Sequence, residues 1–307
     1  MAKKEKINTK IIAGIPVEEL FAPGHSGCYG CGEAIALKHI LKACGKNTIV
    51  VEATGCPEVY STVFPSSSFK IPWIHVAFEN AAAVASGIRV ALDKQGKKDV
   101  NVVAIGGDGG TYDIGFQALS GALERGDKFL YICTNNEAYE NTGVQRSGAT
   151  QKYSWTTTTP IGKKILGKQQ FRKPMTKIVA AHNSKYVATA SLHNLPDFYK
   201  KIKTALATDG VSYIEVLCPC IPGWKIAGDM AYDLTLLSFK TNIWPLYEII
   251  DGKLILTKNS DYMPISEFFK YQGRFSHLLK PENRKYLEEL QEHVDIEYMK
   301  LEKQSEN

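Results

Sequence analysis

The sequence predicts an α/β protein with a mostly parallel sheet flanked by helices. Apolar, strand-like runs alternate with amphipathic, helix-like stretches along most of the chain, a pattern typical of parallel strands joined by crossover helices. A glycine turn directly follows one apolar run, and polar residues follow the next. With 307 residues, the chain is long enough for a full core in one large or two smaller domains.

The predicted strands are short runs rich in branched and aromatic residues, as buried strands require. They are TIVVEA (48–53), VNVVAIG (100–106), KFLYICT (128–134), KYVATA (185–190) and SYIEVL (212–217). Predicted helices lie near residues 32–44, 78–93, 113–124 and 195–207. From 150 to 175 the chain is polar, basic and weakly periodic, which predicts a long loop packed at the functional site or on a partner.

The C-terminal part predicts two further elements. LYEIIDGKLILTK (246–258) reads as a β-hairpin that turns at Asp251 and Gly252. Residues 280–307 form a charged amphipathic pattern, which predicts a terminal helix that either clasps another subunit or is simply solvated.

Charge and hydropathy narrow the setting in which the protein works. The start, MAKKEKINTKIIAG, is basic but lacks the apolar stretch of a secretory signal. No apolar run approaches the ~20 residues needed to span a bilayer. The net charge of +5 comes from scattered Lys and Arg without a basic, aromatic-interleaved stripe. We therefore expect a cytoplasmic protein that binds neither membranes nor nucleic acid.

The most informative stretch runs from Gly106 to Ser147. Asp108 lies in a glycine turn after one predicted strand, and Asn135 and Asn136 follow the next strand. Because parallel strands expose their carboxyl ends on one edge, Asp108 and one of these asparagines should meet in the ligand crevice. Oxygen ligands suit Mg²⁺ bridged to phosphates, and glycines let the backbone approach an anion. The order of these elements predicts a metal and diphosphate site rather than an ordinary turn.

Seven cysteines in a chain of this expected location favour metal or redox chemistry over disulfides. Cys44 and Cys133 lie inside a predicted helix and strand and read as buried small hydrophobes. The remaining five lie in loops or at strand ends: Cys28, Cys31, Cys56, Cys218 and Cys220. Four soft thiolates can hold either Zn²⁺ or an iron-sulfur cluster, and sequence spacing leaves both readings open.

Eight segments together resemble a known family. They are GHSGCYGCGEAIALK, ATGCPEVYST, PWIHVAFENAAAVASGI, GGDGGTYDIGFQALSGALERG, NNEAYENTGVQRSGAT, WTTTTPIGK, TKIVAAHNSKYVATAS and CPCIPGW. They span about residues 24–225, roughly two thirds of the chain. In these segments the chain resembles the β subunits of pyruvate:ferredoxin oxidoreductases, within the 2-oxoacid:ferredoxin oxidoreductase family.

The resemblance implies a role for each matching residue. The proximal 4Fe-4S cluster would be bound by Cys28, Cys31, Cys56 and Cys220. Mg²⁺ would be bound by Asp108, the side chain of Asn136 and the carbonyl of Ala138. The thiamine diphosphate would contact Gly107, Gly109, Gly110, Glu33, Cys56 and Asn141, with Glu33 and Asn141 at the reacting groups. Cys218 stands where relatives more often have serine, and Gln151 replaces a proline that is usual after GAT.

The resemblance also implies three regions. Residues 1–23 would be an N-terminal extension, 24–225 a thiamine diphosphate-binding domain that carries the cluster cysteines, and 226–307 a C-terminal extension for subunit contacts.

By the same resemblance the chain catalyses oxidative decarboxylation of a 2-oxoacid with coenzyme A and ferredoxin, in either direction. It would act only with an α subunit, which supplies the pyrimidine-side glutamate and the substrate pocket, and with γ and δ subunits. Pyruvate is the expected substrate, and oxalate, 2-oxoisovalerate and other 2-oxoacids are alternatives. Two further readings are a zinc-stabilised thiamine-binding module without redox function and a non-enzymatic electron-transfer or scaffold subunit.

Overall fold

The computed structural model of the protein describes residues 11–12 and 14–306. Residues 1–10 of the predicted N-terminal extension, which carry the charges of the basic start, lie outside these residues. The strands are β1 (Ile11–Ile12), β2 (Ile15–Pro16), β3 (Thr48–Ala53), β4 (Trp73–Val76), β5 (Asn101–Gly107), β6 (Phe129–Asn135), β7 (Tyr186–Ser191), β8 (Val211–Leu217), β9 (Tyr247–Ile250) and β10 (Lys253–Leu256).

The helices cover both faces of the sheet and continue beyond it. They are α1 (Gly32–Cys44), α2 (Cys56–Ser61), α3 (Ala81–Lys94), α4 (Phe116–Arg125), α5 (Met175–Ala180), α6 (Leu195–Ala207), α7 (Ile221–Trp224), α8 (Ala231–Lys240), α9 (Ile265–Phe269) and α10 (Arg284–Glu306). Short 3₁₀ turns lie at Gly273–Phe275 and Pro281–Asn283, and one π-helical turn lies at Gly110–Ile114.

The main sheet has eight strands in the order β10-β9-β7-β8-β6-β5-β3-β4. The six strands from β4 to β7 in this order are parallel, and β9 and β10 extend the edge antiparallel. The predicted α/β class and mostly parallel sheet are therefore confirmed. Because β5 and β6 are neighbours, the glycine turn after β5 and the asparagines after β6 meet at one edge of the sheet.

The core has two layers against the sheet and a third beyond it. One layer packs α3, α4 and α5, with the end of α10, on one face, through residues such as Ala85, Leu119 and Val179. On the other face α1 and α6 pack through Leu37 and Phe198. The third cluster is built by the C-terminal helices around Trp224, Phe268 and Phe275, so the C-terminal region has a hydrophobic centre of its own close to α7.

The single helix predicted near residues 113–124 is divided in the structure. The π-helical turn comes first, and α4 begins only at Phe116. Gly115 separates them and donates its N–H to the carbonyl of Gly110 at 2.8 Å. A Cβ on Gly115 would lie 2.3 Å from that same carbonyl oxygen. Only glycine allows this close approach, which forms the turn after the glycine loop at residues 106–110.

The predicted hairpin and terminal helix are both confirmed. Ile250 pairs with Lys253, so the turn contains only Asp251 and Gly252. Both have positive φ angles, of 47° and 82°, as expected for a type I′ turn. In the described part of the chain, no helix combines the length and apolar character needed to cross a membrane.

Candidate functional site

Asp108 lies just beyond the carboxyl end of β5 and is almost completely buried, at 1% exposure. One carboxylate oxygen accepts a hydrogen bond from the Ser147 hydroxyl. Burial raises the pKa of Asp108 well above its usual range, and the nearby carboxylates of Glu140 and Glu137 raise it further. A buried acid of this kind is stabilised in its charged form by a nearby cation.

Of the two asparagines after β6, the structure brings Asn136 to Asp108. Asn135 turns into the core, where its amide donates to Glu215 at 2.6 Å and its oxygen accepts from the N–H of Glu137. One terminal atom of the Asn136 amide lies 2.8 Å from Asp108 Oδ1 and 2.8 Å from the Ala138 carbonyl oxygen. As NH₂, this atom donates to both; as oxygen, it completes a set of three oxygens that suits a hard cation. The residues present therefore fit Mg²⁺.

The glycines beside Asp108 differ in what surrounds them. A Cβ added to Gly107 would have no neighbour within 4 Å, so the backbone there borders open space. A Cβ on Gly109 would lie 2.3 Å from the Tyr139 ring, and one on Gly110 would lie 3.2 Å from Phe78. The loop thus presents bare backbone to a cavity of about 150 Å³. This cavity is lined by Gly107, Asp108, Gly109, Asn136, Ala138 and Asn141, together with Glu33, Cys56 and Phe78.

The cysteines implied by resemblance surround a second cavity, of about 270 Å³. Cys28 precedes α1 and is exposed, Cys31 immediately precedes α1, Cys56 begins α2, and Cys220 precedes α7. All four line this cavity. In the described residues, no three His, Cys, Asp or Glu side chains are close enough together to hold a metal ion. The thiols therefore enclose a space rather than meet at a point.

The other three cysteines lie deeper in the protein. Cys44 and Cys133 are buried in the two layers of the core, as their positions in a helix and a strand predicted. Cys218 lines the edge of the cysteine cavity but is fully buried, and its thiol donates to the Val216 carbonyl at 3.5 Å. Cys220 rather than Cys218 therefore has its thiol free of the strand backbone.

The cysteine cavity disfavours negative charge. Burial, reinforced by the charge of Glu33, raises the pKa of Cys31 to about 11, and burial also raises the pKa values of Cys56 and Cys220. Burial raises the pKa of Glu33 to about 7, although the Thr134 hydroxyl donates to it at 2.6 Å. Thiolates formed here require positive charge beside them, as a metal centre provides.

Glu140 is a site residue that the sequence prediction missed. Its carboxylate is buried beside the Cys220 thiol and close to the Gly223 backbone. Burial raises its pKa to about 7. Its neighbour Asn141 is exposed at the mouth of the site. The only sequence signal for Glu140 was its place in the matched segment NNEAYENTGV, between Asn136 and Asn141.

The two cavities adjoin. Both are lined by Glu33, Cys56, Asn136, Glu140 and Asn141. A group held by the glycine loop and Asp108 would therefore lie against a group held by the cysteines. The arrangement can hold an anionic, metal-bridged ligand next to a soft metal centre, with Cys56 and Glu33 between them.

Comparison with known proteins agrees with this geometry. Residues 53–216 match the family described as "Thiamine pyrophosphate enzyme, C-terminal TPP binding domain". The match covers more than half of the chain and defines the class as thiamine diphosphate enzymes.

Similarity to individual proteins narrows the class. The pyruvate synthase subunit PorB of Methanocaldococcus jannaschii is 49% identical over 293 residues, covering 93% of this chain and 97% of that protein. The PorB protein of Thermotoga maritima is 45% identical over 290 residues, covering 91% and 90%. The ketoisovalerate oxidoreductase subunit VorB of Pyrococcus furiosus is 40% identical over 307 residues, covering 97% of each. This chain belongs to the 2-oxoacid:ferredoxin oxidoreductase family.

A solved structure supports the fold. The 2-oxoglutarate:ferredoxin oxidoreductase from Magnetococcus marinus superposes with a TM-score of 0.57 at 21% identity, over 70% of this chain and 72% of that one. At this identity, the similarity establishes the shared fold.

Proposed function

We propose that this chain binds Mg²⁺-thiamine diphosphate and a 4Fe-4S cluster and, with partner subunits, interconverts pyruvate and acetyl-CoA plus CO₂ with ferredoxin. The observation that carries the proposal is the shared wall of the two cavities, formed by Glu33, Cys56, Asn136, Glu140 and Asn141. With a shared wall, a cluster bound by the cysteines would lie beside thiamine diphosphate bound at the glycine loop, so that it could accept electrons from the decarboxylation site.

The metal and diphosphate assignment is supported by three oxygens and a bare backbone. Asp108, the Asn136 amide and the Ala138 carbonyl converge within hydrogen-bonding distance. Gly107 leaves backbone open to the cavity, and Gly109 also lines it, although the Tyr139 ring covers the position where a Cβ of Gly109 would lie. Mg²⁺ held here would bridge the protein oxygens to a diphosphate. Thiamine diphosphate, when bound, supplies the carbon nucleophile and the electron sink for decarboxylation of a 2-oxoacid.

The cluster assignment is supported by the way the thiols are placed. Cys28, Cys31, Cys56 and Cys220 come from three separate segments and enclose about 270 Å³. In a 4Fe-4S cluster the thiolates surround a bulky centre, whereas four thiolates on a single Zn²⁺ converge to about 2.3 Å from one ion. An enclosing arrangement favours the cluster over the zinc reading.

The chain's own residues position and shield the reacting groups. The Thr134 hydroxyl fixes the Glu33 carboxyl between the two cavities. Ser147 fixes Asp108 from the side opposite Asn136. Asn141, which is exposed at the mouth of the site, would contact a substrate that enters from a partner chain, as the resemblance implies.

The family resemblance implies partner subunits that supply the groups this chain lacks. An α subunit would supply the glutamate for the aminopyrimidine and most of the substrate pocket, and γ and δ subunits would handle assembly and electron transfer to ferredoxin. Pyruvate is favoured because two pyruvate synthase subunits are 45% and 49% identical, above the 40% of the ketoisovalerate subunit. Oxalate and 2-oxoisovalerate are the alternatives to test.

The test is to express the chain anaerobically, alone and together with its α, γ and δ partners. We expect the assembled enzyme to reduce viologen with pyruvate and coenzyme A, faster than with 2-oxoisovalerate or oxalate, and the isolated chain to be inactive. Metal analysis of the isolated chain should give about four iron and four sulfide per chain.

Three outcomes would contradict the proposal separately. Pyruvate-dependent viologen reduction by the isolated chain would remove the need for an α subunit. One zinc per chain without visible absorption would replace the cluster by a structural zinc site. An assembled, iron-containing complex that fails to decarboxylate any 2-oxoacid in the presence of thiamine diphosphate would leave an electron-transfer or scaffold role.

A further inference from the structure

We propose that Arg274 is a positioning residue that keeps the loop from Asn136 to Ala138 in its metal-binding shape. This role of Arg274 rests on the proposed function, because that loop carries two of the proposed Mg²⁺ ligands. Arg274 lies in the C-terminal region, beyond the segment 53–216 that matches the thiamine enzyme family. It acts on the proposed Mg²⁺ ligands through Glu137 and Trp224.

The loop needs support because its central residue has an unfavourable backbone. Glu137 has a φ of 68°, in the left-handed region that side-chain-bearing residues seldom adopt. It separates Asn136 from Ala138, and this backbone lets the Asn136 amide and the Ala138 carbonyl approach each other at 2.8 Å beside Asp108. Such a conformation persists only where the surroundings fix it.

The Glu137 carboxylate is held on both oxygens. Arg274 Nη2 donates to one at 2.6 Å, and Gln151 Nε2 donates to the other at 3.0 Å. Glu137 and Arg274 are each only 2% exposed, so this ion pair is closed off from water. Gln151 occupies the position where the resemblance shows a proline, which has no side-chain donor. In this chain the carboxylate is therefore held from two sides.

Arg274 also supports the loop through an aromatic side chain. Its guanidinium lies 3.9 Å from the centre of the Trp224 ring. The Trp224 indole N–H donates to the Asn136 carbonyl at 2.8 Å. Gln272 fixes the guanidinium with bonds of 3.0 and 2.8 Å from Nε and Nη2. One buried arginine is thus connected to the loop at Asn136 and at Glu137.

The support continues from the loop to the opposite side of the proposed metal site. The Thr150 hydroxyl donates to the Glu137 carbonyl at 2.5 Å and accepts from the N–H of Ser147 at 2.9 Å. The Ser147 hydroxyl in turn donates to Asp108. Arg274 therefore stands at the start of a hydrogen-bonded path that reaches both sides of the proposed Mg²⁺ site.

The test uses the assembled, iron-loaded enzyme after Mg²⁺ and thiamine diphosphate have been removed. Bound thiamine diphosphate is measured by equilibrium dialysis as Mg²⁺ is titrated at a fixed, saturating thiamine diphosphate concentration. For Arg274→Met and Glu137→Gln we expect the half-saturating Mg²⁺ concentration to rise roughly ten-fold or more, as for other residues that orient metal ligands. At saturating Mg²⁺ the amount bound and kcat should return towards the wild-type values. Arg274→Lys keeps the charge without the planar guanidinium fork. Its half-saturating Mg²⁺ concentration should lie between those of the wild type and Arg274→Met.

The matched control is Glu289→Gln. Glu289 also joins the C-terminal region to the loop after β6, through Lys152 and Tyr153, but does not contact Glu137. It should leave the Mg²⁺ titration unchanged. A folded Arg274→Met or Glu137→Gln enzyme with the wild-type titration, or an equal shift in Glu289→Gln, would overturn the role of Arg274.

Two further results keep the test decisive. If Arg274→Met does not assemble, the double variant Glu137→Gln/Arg274→Met removes both charges of the Glu137–Arg274 pair, and its Mg²⁺ titration decides the question in the same way. If the wild-type enzyme binds thiamine diphosphate without any divalent cation, the proposed metal site is wrong, and this outcome is distinct from an unchanged titration in the variants.

Discussion

The two halves of the candidate active site are built in different ways. The oxygen ligands follow β5 and β6, which are hydrogen-bonded neighbours, so the sheet itself brings Asp108 and Asn136 together. The cysteines come from the starts of α1, α2 and α7, which are held by close backbone packing. A Cβ on Gly30 would lie 1.6 Å from the Gly228 carbonyl oxygen, and one on Gly32 would lie 2.8 Å from the Pro219 nitrogen.

Because of this difference, we expect ligand binding by the two halves to depend on different residues. The oxygen side is an internal hydrogen-bonded network whose charge is buried, and the cysteine side is a space between segments that are remote in sequence. Substitutions in one half should therefore spare the other.

Asp108→Asn should abolish binding of Mg²⁺-thiamine diphosphate by the oxygen half of the site. It removes the charged ligand that the other oxygens surround, so we expect the affinity for Mg²⁺-thiamine diphosphate to fall by at least about 100-fold. Calorimetric titration of the assembled enzyme measures the affinity, and iron content and visible absorption should stay at wild-type values. Retained thiamine diphosphate affinity would mean that Asp108 is not a metal ligand, and a loss of iron would mean that the two halves are coupled.

Cys220→Ser should abolish cluster binding by the cysteine half of the site. Cys218→Ser is its matched control. Cys220 lines the cavity with its thiol free of the strand backbone, whereas the Cys218 thiol donates to Val216. We expect Cys220→Ser to lose most of the iron and visible absorption, and Cys218→Ser to keep both at a stability cost of about 1 kcal/mol. Iron assay and absorption spectra distinguish them, and the opposite pattern would assign the fourth ligand to Cys218.

Gly30→Ala should damage the cysteine half through the backbone alone. Gly30 has a φ of 75°, and the added Cβ would overlap the Gly228 carbonyl, so we expect a stability loss of roughly 2–4 kcal/mol with loss of iron. Gly96→Ala is the control, because its φ is 71° but nothing lies within 4 Å of the added Cβ. Thermal unfolding and iron content should show that only the first variant loses iron, and equal behaviour would remove the packing argument.

Glu52→Gln tests a buried acid that lines neither cavity. Burial raises the pKa of Glu52 to about 8, and the Trp73 indole donates to one carboxyl oxygen at 2.7 Å. In the unfolded chain a glutamate titrates near 4.3, so between about pH 4.5 and 8 the folded state binds the extra proton. The stability of the wild type should fall as pH rises through this window, by on the order of 1 kcal/mol per pH unit.

Because glutamine does not titrate, Glu52→Gln should lack this decline. Its unfolding midpoint should exceed that of the wild type most clearly at pH 8 and above, and the difference should shrink towards pH 5. Urea unfolding at three pH values measures it. Parallel pH profiles would mean that Glu52 stays ionised in the folded protein, and that burial alone does not account for the raised pKa values of the acids in the two cavities.

Much of this organisation was predictable from sequence. Short apolar runs rich in branched and aromatic residues identified five parallel strands, β3, β5, β6, β7 and β8, since the composition of a buried strand is a local property. The order of Asp108 and the two asparagines placed them at one sheet edge. It did not distinguish Asn135 from Asn136, because both follow the same strand. The short strands β1, β2 and β4 and the helices α2, α5, α7, α8 and α9 were not predicted, since short elements carry little periodic signal.

By itself, the sequence determined the α/β class, the glycine turn with Asp108 and, through resemblance, the cysteines that surround one cavity. Only the tertiary structure decided that the two cavities share a wall, that Asn135 turns away, and that Arg274 supports Glu137 from 137 residues further along the chain. The physical reason is the distance along the sequence over which each kind of interaction acts. Strand and turn preferences act between residues close in sequence, whereas a buried ion pair between distant segments depends on how the whole chain packs.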